Sequence, residues 1–496
     1  MKRFSVCSNR IVSFFLAVVL VLTCVFCVSL FDVRAEESIE KNVYDDAKNL
    51  IYNAAKKLEP EVDLSSLDIP SSYAKELYMD TLLSYPELLY LSETFSSSNV
   101  SAGSSGNIDK ITLTYINSSY NLAGRIDSLR ICAENFKENC ISGSMSEVEK
   151  YLSIFEFLCA NTLKNKGSLL VSHFDSTAFG PLMEGYGDSL GYALAFKYLA
   201  DYLGLDSFVV FGKDDPDQYW NAVEIDGYYF YVDAFSADNE NSKTVSSDVT
   251  TKVSTVDHYM FMSDEASFAV LNHIEGTSYG YGDPIRVRGA SKLPFKQYWS
   301  GVTSPMVYLN GDWYCISNLS PDVILKRSPD QNYVGVNEKA FYKNANPIGS
   351  IASDGKYIYF TNLDAEVRTC TASGDVKTIY DAYGFNRRVG DIGFDGEDVV
   401  CNLYTDTGTQ LSPQKYDNGE NTTIKTVTYG DLNGDKVIDN TDYSIICEYI
   451  KNGVEIDASY KGYADIDRNG VINTFDRVYI ARYLAGETLI ADMFFN

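Results

Sequence analysis

Two segments near the C-terminus repeat each other at an offset of 34 residues. Asp431 maps to Asp465, Asn433 to Asp467, and Asp435 to Asn469. Val437 maps to Val471, Asp439 to Asn473, and Asp442 to Asp476. The match continues beyond the polar part, from Ile446 to Ile480, Tyr449 to Tyr483 and Ile450 to Leu484. In each copy, oxygen-bearing side chains stand at loop positions 1, 3, 5, 9 and 12. Alternating positions on a tight loop converge on one point, and calcium, a hard cation, takes about six to eight oxygen ligands. Position 7, Val437 or Val471, would add a backbone carbonyl and bury its side chain. The apolar spacing after each loop predicts a helix. This stretch is therefore read as loop–helix twice over, with two Ca2+ ions and a fold that depends on them.

The pattern resembles a type I dockerin: two EF-hand-like calcium loops, each followed by a helix, without the leading helix of an EF-hand. The module is taken as residues 430–496. Position 12 is Asp where EF-hands carry Glu, so the following helix must sit closer to the ion. The resemblance implies a cohesin domain of a scaffoldin protein as partner. It also implies docking into a cellulosome, in the setting of polysaccharide breakdown. Family partner contacts at positions 10 and 11 fall here on Asn440-Thr441 and Thr474-Phe475. The two pairs differ, so one preferred cohesin-binding face is expected. The loops differ as well: loop 1 has four carboxylates and Lys436 at position 6, while loop 2 has three and Gly470. A left-handed backbone at that position would penalise the lysine by about 1 kcal/mol or more.

With 496 residues, the chain is long enough for two to four domains. Lys2, Arg3 and Arg10 precede an apolar run from Ile11 to Phe31, and Val33-Arg34-Ala35 ends on a small residue. That order reads as a signal peptide over 1–35, and a retained anchor is the alternative, since the run is long enough to span a bilayer. A secreted, extracellular protein follows, cell-surface or cellulosome-associated through the scaffoldin, with no membrane partner after cleavage. The formal charge of −27 argues against nucleic acid. Seven of the ten cysteines follow the leader, an odd number without a framework spacing. Cys132 and Cys140 are a candidate pair; free buried thiols are the other reading.

Residues 36–164 read as a helical N-terminal region, with a capping box at Ser144–Glu147. Residues 165–290 read as α+β. A helix over Ser189–Leu203 is followed by strands at Ser207–Phe211, Tyr219–Ile225 and Tyr228–Val232. Asp226-Gly227 marks the hairpin between the last two. Residues 300–415 read as an all-β region of three blade-like repeats. The turns Asn310-Gly311, Asp354-Gly355 and Asp395-Gly396 are spaced 44 and 41 residues apart. Three blades are too few for a closed propeller, so an incomplete fan or a sandwich is expected. Residues 416–429 are polar and read as a linker.

The segment Gly185-Tyr-Gly-Asp-Ser-Leu-Gly-Tyr-Ala193 resembles bacterial transglutaminase-like domains, whose core is papain-like. So do Gln218-Tyr-Trp-Asn-Ala-Val223 and Tyr228-Tyr-Phe-Tyr-Val-Asp-Ala234. The resemblance implies a Cys–His–Asp triad, but the cysteine position is Ser189, the histidine position is Gln218, and only Asp233 matches. A thiol holds some thiolate at neutral pH, whereas a serine hydroxyl depends on a general base. Glutamine does not accept a proton near pH 7. The leading reading is a pseudoenzyme acting in binding or spacing, with a protein or carbohydrate as ligand and no catalytic residue expected. Ser189 would then cap its helix, and Asp233 would bond to nearby backbone or to Gln218. Trp220 would pack, or stack on sugar if exposed. The rival is a cysteine- or serine-type peptidase or acyl transferase recruiting His173 or Cys159. A third reading is glycoside chemistry in the β region, where Asp354, Asp391 and Asp395 are scattered turn acids.

Overall fold

A computed structural model describes residues 39–116, 122–164, 174–212, 217–246, 249–263, 276–280, 297–317, 320–329, 336–342, 345, 347–382, 387–395, 398–405, 407, 409–416, 424–426, 429–435, 437–458, 460–466 and 472–484. The expected signal peptide, His173, His273, Asp467, Asn469 and Val471 lie outside them, as do Lys436 and Gly470. Among the described residues, no helix is long and apolar enough to cross a membrane.

The N-terminal region is not wholly helical. Helices α1 (Lys41–Lys56) and α2 (Ala74–Ser84) pack together beside a three-stranded sheet of β1 (Glu61–Asp63), β2 (Val100–Ala102) and β3 (Ile108–Thr112), with β3 central. Tyr44, Ile51, Leu77 and Ile111 meet in its core. Helix α3 (Leu122–Cys140) follows, then α4 (Glu147–Asn161). The capping box forms two residues later than the sequence suggested. Ser146 is the N-cap, and its backbone N–H donates to the Glu149 carboxylate at 2.9 Å. The reason is local: Ser142 to Met145 close a turn first, with the Met145 N–H on the Ser142 carbonyl.

The central unit is built on α5 (Ser189–Tyr202). Two residues each of β4 (Leu163–Lys164) and β5 (Tyr186–Gly187) pair in parallel just before it. A five-stranded antiparallel sheet includes β6 (Ser207–Gly212), β7 (Tyr219–Ile225) and β8 (Tyr228–Val232). Asp226 and Gly227, both at positive φ, make the two-residue turn between β7 and β8, as their residue types demand. A one-turn helix, α6 (Ala234–Ala237), leads into a hairpin of β9 (Asp238–Ser246) and β10 (Val249–Val256). β11 (Phe261–Ser263) and β12 (Gly276–Thr277) complete the five-stranded sheet at its two edges.

The β region holds three four-stranded antiparallel meanders, each in simple sequence order. The first comprises β13 (Val307–Leu309), β14 (Asp312–Ser317), β15 (Ser320–Pro329) and β16 (Val336–Tyr342). The second comprises β17 (Pro347–Ser353), β18 (Tyr357–Asn362), β19 (Glu366–Thr371) and β20 (Val376–Asp381). The third comprises β21 (Arg387–Asp395), β22 (Asp398–Thr405), β23 (Gln410–Tyr416) and β24 (Ile424–Thr426). β24 falls in the expected linker, where its backbone pairs with β23. The first strands of the meanders lie together, β17 against both β13 and β21, and the β9–β10 hairpin packs on β17 and β21. One apolar cluster runs from Phe155 and Phe196 through Trp220 to Trp299, Trp313 and Leu325, so α4, the central sheet and the first meander share a core.

At the C-terminus, α7 (Asn440–Asn452) packs on α8 (Thr474–Leu484). Leu432 and Ile466, and Ile446 and Ile480, are buried as two pairs that share the 34-residue offset. Gly453, at φ 69°, ends α7 in a left-handed cap.

Candidate functional site

The C-terminal loops come first because their sequence pattern is the more specific. Asp442 is wholly buried at the start of α7. Its Oδ1 accepts from the Leu432 N–H at 2.7 Å and its Oδ2 from the Asp439 N–H at 2.8 Å. Asp476, also wholly buried, repeats both bonds on the Ile466 and Asn473 N–H groups at 2.6 and 2.8 Å. The last acid of each repeat therefore ties the start of its loop to the start of its helix. Within loop 1, Asp431 accepts from the Gly434 N–H, Asn433 from that of Asp435, Asp435 from that of Val437, and Asp439 from that of Thr441. Gly434 sits at φ 80°, and a Cβ there would lie 2.2 Å from the Tyr460 hydroxyl oxygen. Glycine is required at that point on both counts.

The donor set suits a hard cation. Burial pushes the Asp442 carboxyl up, its two backbone bonds pull it down, and Asp431 and Asp435 add repulsion. A cation among these acids would relieve that repulsion. Among the described residues, no three His, Cys, Asp or Glu side chains already converge on one point. The expectation for Val437 needs correction. Its side chain is 56% exposed. Ile438 and Ile472, one position further on, pack against the module core instead, so position 8 carries the apolar anchor. Asn440, Thr441 and Thr474 are exposed. Phe475 lies on α8, its side chain outside the described ones.

In the central unit, Ser189 opens α5 but does not cap it. Asp188 is the N-cap, accepting from the Gly191 N–H at 2.8 Å. Ser189 instead lies in the first turn, with its Oγ donating to the Asp217 carbonyl at 3.1 Å and accepting from the Tyr219 N–H at 3.3 Å. Those two bonds straddle Gln218, whose carbonyl accepts from Gly212 N–H at 3.0 Å and so closes the β6–β7 turn. Gly191 is needed for a different reason: a Cβ would meet the Asp175 carbonyl oxygen at 2.0 Å. Asp233 is 1% exposed, and its Oδ1 accepts from the Ser236 N–H at 2.8 Å, capping α6.

The Glu93 carboxyl is pushed up by desolvation first, with Asp188 and Asp217 adding repulsion. Cys159 is buried, and its Sγ lies 3.6 Å from the Ala234 carbonyl. Burial first, then Asp238, drives that thiol well above its ordinary range. Trp220 is 1% exposed and packs edge-on against Tyr231, so it offers no face to a sugar. Cys132 and Cys140 are unbridged. Eight residues apart on α3, they are separated by about 12 Å of helical rise, against roughly 4.4–6.8 Å between the Cα atoms of a disulfide.

One constellation escaped sequence reasoning. His258 and Glu156, 4% and 6% exposed, meet at 2.5 Å between Nε2 and Oε1. The other ring nitrogen of His258 lies 3.2 Å from the Val302 carbonyl. No spacing marks a glutamate and a histidine 102 residues apart.

Residues 429–485 match the dockerin type I domain. That match supports calcium as cofactor and a scaffoldin cohesin as partner of this module. No curated protein matches the chain. Among solved structures, a crystal structure described as that of a TGase is 15% identical, over 28% of this chain and 45% of that one, with TM-score 0.20. A post-proline cleaving enzyme from Rickettsia typhi is 8% identical, over 63% of this chain and 52% of that one, also with TM-score 0.20. The chain thus covers less than two thirds of either protein, and at that TM-score neither likeness defines its fold.

Proposed function

We propose that this is a secreted, cellulosome-type component, attached by its C-terminal dockerin to a scaffoldin cohesin when calcium is bound. The observation that carries the reading is the dockerin match over 429–485, together with the repeated pinning of Asp442 and Asp476. Asp431, Asn433, Asp435, Asp439 and Asp442 would hold one ion. Asp465, Asp467, Asn469, Asn473 and Asp476 would hold a second, with the Val437 and Val471 carbonyls completing the two sets. The ions supply the fixed positive charge that lets these acids close their loops. Asn440-Thr441 at the start of α7 and Thr474-Phe475 at the start of α8 are the two cohesin contacts, and their difference gives one preferred face, which Thr441→Ala and Phe475→Ala compared side by side would reveal. A cohesin pull-down with and without chelator tests the attachment. Binding that ignores chelation would overturn it.

The central unit is a transglutaminase-like domain that binds or spaces and does not catalyse. The engagement of the Ser189 hydroxyl with the backbone on both sides of Gln218 supports this reading, as does the glutamine at the position that the resemblance gives to the histidine. The three meanders act as an incomplete blade fan beside it. An amine-incorporation, isopeptide and protease screen tests the reading. Turnover abolished by Ser189→Ala would refute it.

A further inference from the structure

We propose that the dockerin is seated on the central unit through its second repeat, and that calcium in the second loop holds it there; this goes beyond the attachment and rests on the reading of the loops as calcium sites. The seat is the strap that runs into α5. It comprises a tight helical turn, Gly180–Glu184, and then β5, directly ahead of the Asp188 N-cap.

Two contacts join the modules there. The Tyr479 hydroxyl, on α8, donates to the Glu184 carbonyl at 2.9 Å, in a buried bond between residues 295 apart in the chain. Carbonyls at the end of a helical turn need partners from outside it, and the tyrosine supplies one. Tyr186 of β5 is buried as well, in the apolar cluster that holds Leu432, Ile466 and Ile480, and Leu163 of β4 packs on the same cluster. The dockerin core thus covers a tyrosine of the central unit. The strap is held independently on the side of α3. The Arg125 guanidinium lies 4.3 and 4.5 Å from the Phe174 and Phe179 ring centroids, and 3.6 Å from Glu184 Oε1. It is a surface already in place for the dockerin to meet.

The duplication marks which repeat does this. At the 34-residue offset, Tyr479 corresponds to Ile445. Ile445 also packs on the module core, but it has no hydroxyl, so only the second repeat can make the bond. Calcium enters through Asp476, three residues before Tyr479 and on the same face of α8. Asp476 ties the start of loop 2 to the start of α8. An ion held there fixes the turn that carries Tyr479, and by linkage the seat strengthens the hold on the ion. Asn440, Thr441 and Thr474 stay exposed in the seated chain. A cohesin can therefore take the protein as it stands, with the cargo in one orientation and not on a free tether.

Hydrogen exchange of the full chain, read over 184–187 and over α8, tests the seat in calcium and after chelation. Two variants approach the contact from its two sides: Tyr479→Ile, which copies the first repeat, and Tyr186→Ser, which lies outside the dockerin. In calcium, Tyr479→Ile is expected to speed exchange over 184–187 by about tenfold or more, and Tyr186→Ser to do the same over α8. Chelation of the unaltered chain should do both, and Ile445→Val neither. Unchanged exchange over 184–187 in Tyr479→Ile, unchanged exchange over α8 in Tyr186→Ser, or protection that survives chelation would overturn the proposal. Cohesin binding in calcium is measured on the same samples and is expected to persist in both variants. If Tyr479→Ile alone loses it, α8 has melted and Tyr186→Ser decides. If no sample binds cohesin while the exchange pattern holds, the attachment fails and the seat stands.

Discussion

The C-terminal repeats and the central unit use buried polar side chains in opposite ways. In the repeats, Asp442 and Asp476 each hold two backbone N–H groups, and their loops still keep further acids for an ion. In the central unit, Ser189 and Asp233 also bond to backbone, and burial holds the Cys159 thiol well above its ordinary range. The same kind of hydrogen bond thus prepares a ligand site in one region and closes a turn in the other. What differs is the neighbours: carboxylates repeated at two-residue spacing against a glutamine between Asp217 and Tyr219.

Calcium removal is the sharpest way to break this comparison. Chelation is expected to weaken cohesin binding at least a hundredfold, that is by roughly 2.7 kcal/mol or more, and to reduce the helical circular dichroism signal. Retained binding and helicity would put the loops in the same structural class as the central unit. Next in size, Trp220→Ala should destabilise the central core by about 3–5 kcal/mol, the range for a large aromatic removed from a packed interior. Cohesin binding should not change, and a shift in it would couple the two regions. Asp442→Ala and Asp476→Ala each strand two backbone donors, at about 2–4 kcal/mol for the pair. Calorimetric unfolding in calcium should show similar losses, and a large inequality would break the equivalence of the repeats. Ser189→Ala should cost about 1 kcal/mol and leave turnover in the amine-incorporation screen unchanged. The smallest effect concerns thiols. Burial pushes Cys132, Cys140 and Cys315 up to about 12, so the folded chain should resist alkylation at these positions at pH 8. Rapid labelling there in the native state would show that these helices and strands open.

Several features were legible in the residues alone. The 34-residue duplication placed α7, α8 and the paired core residues, because helical spacing and loop acids follow from local chemistry. Asp226-Gly227 and Asn310-Gly311 marked hairpins for the same reason. Local choices between near-equivalent residues were not legible. Ser146 outcompetes Ser144 for the cap once Ser142 begins a turn, Asp188 outcompetes Ser189, and Ile438 replaces Val437 as the apolar anchor. Each pair is adequate by residue type, and what separates them is the neighbouring turn in the first case and the module core in the last.

The sequence by itself determined the acidic loops, their repetition, and the absence of cysteine and histidine at positions 189 and 218, since identities and spacings are its own content. Tertiary structure alone decided that Trp220 is buried, that Cys132 and Cys140 stay apart, and that Glu156 meets His258 beside a cavity. These are contacts between residues far apart in the chain, or directions of side chains on one element. Both depend on how layers pack, and no local pattern encodes that.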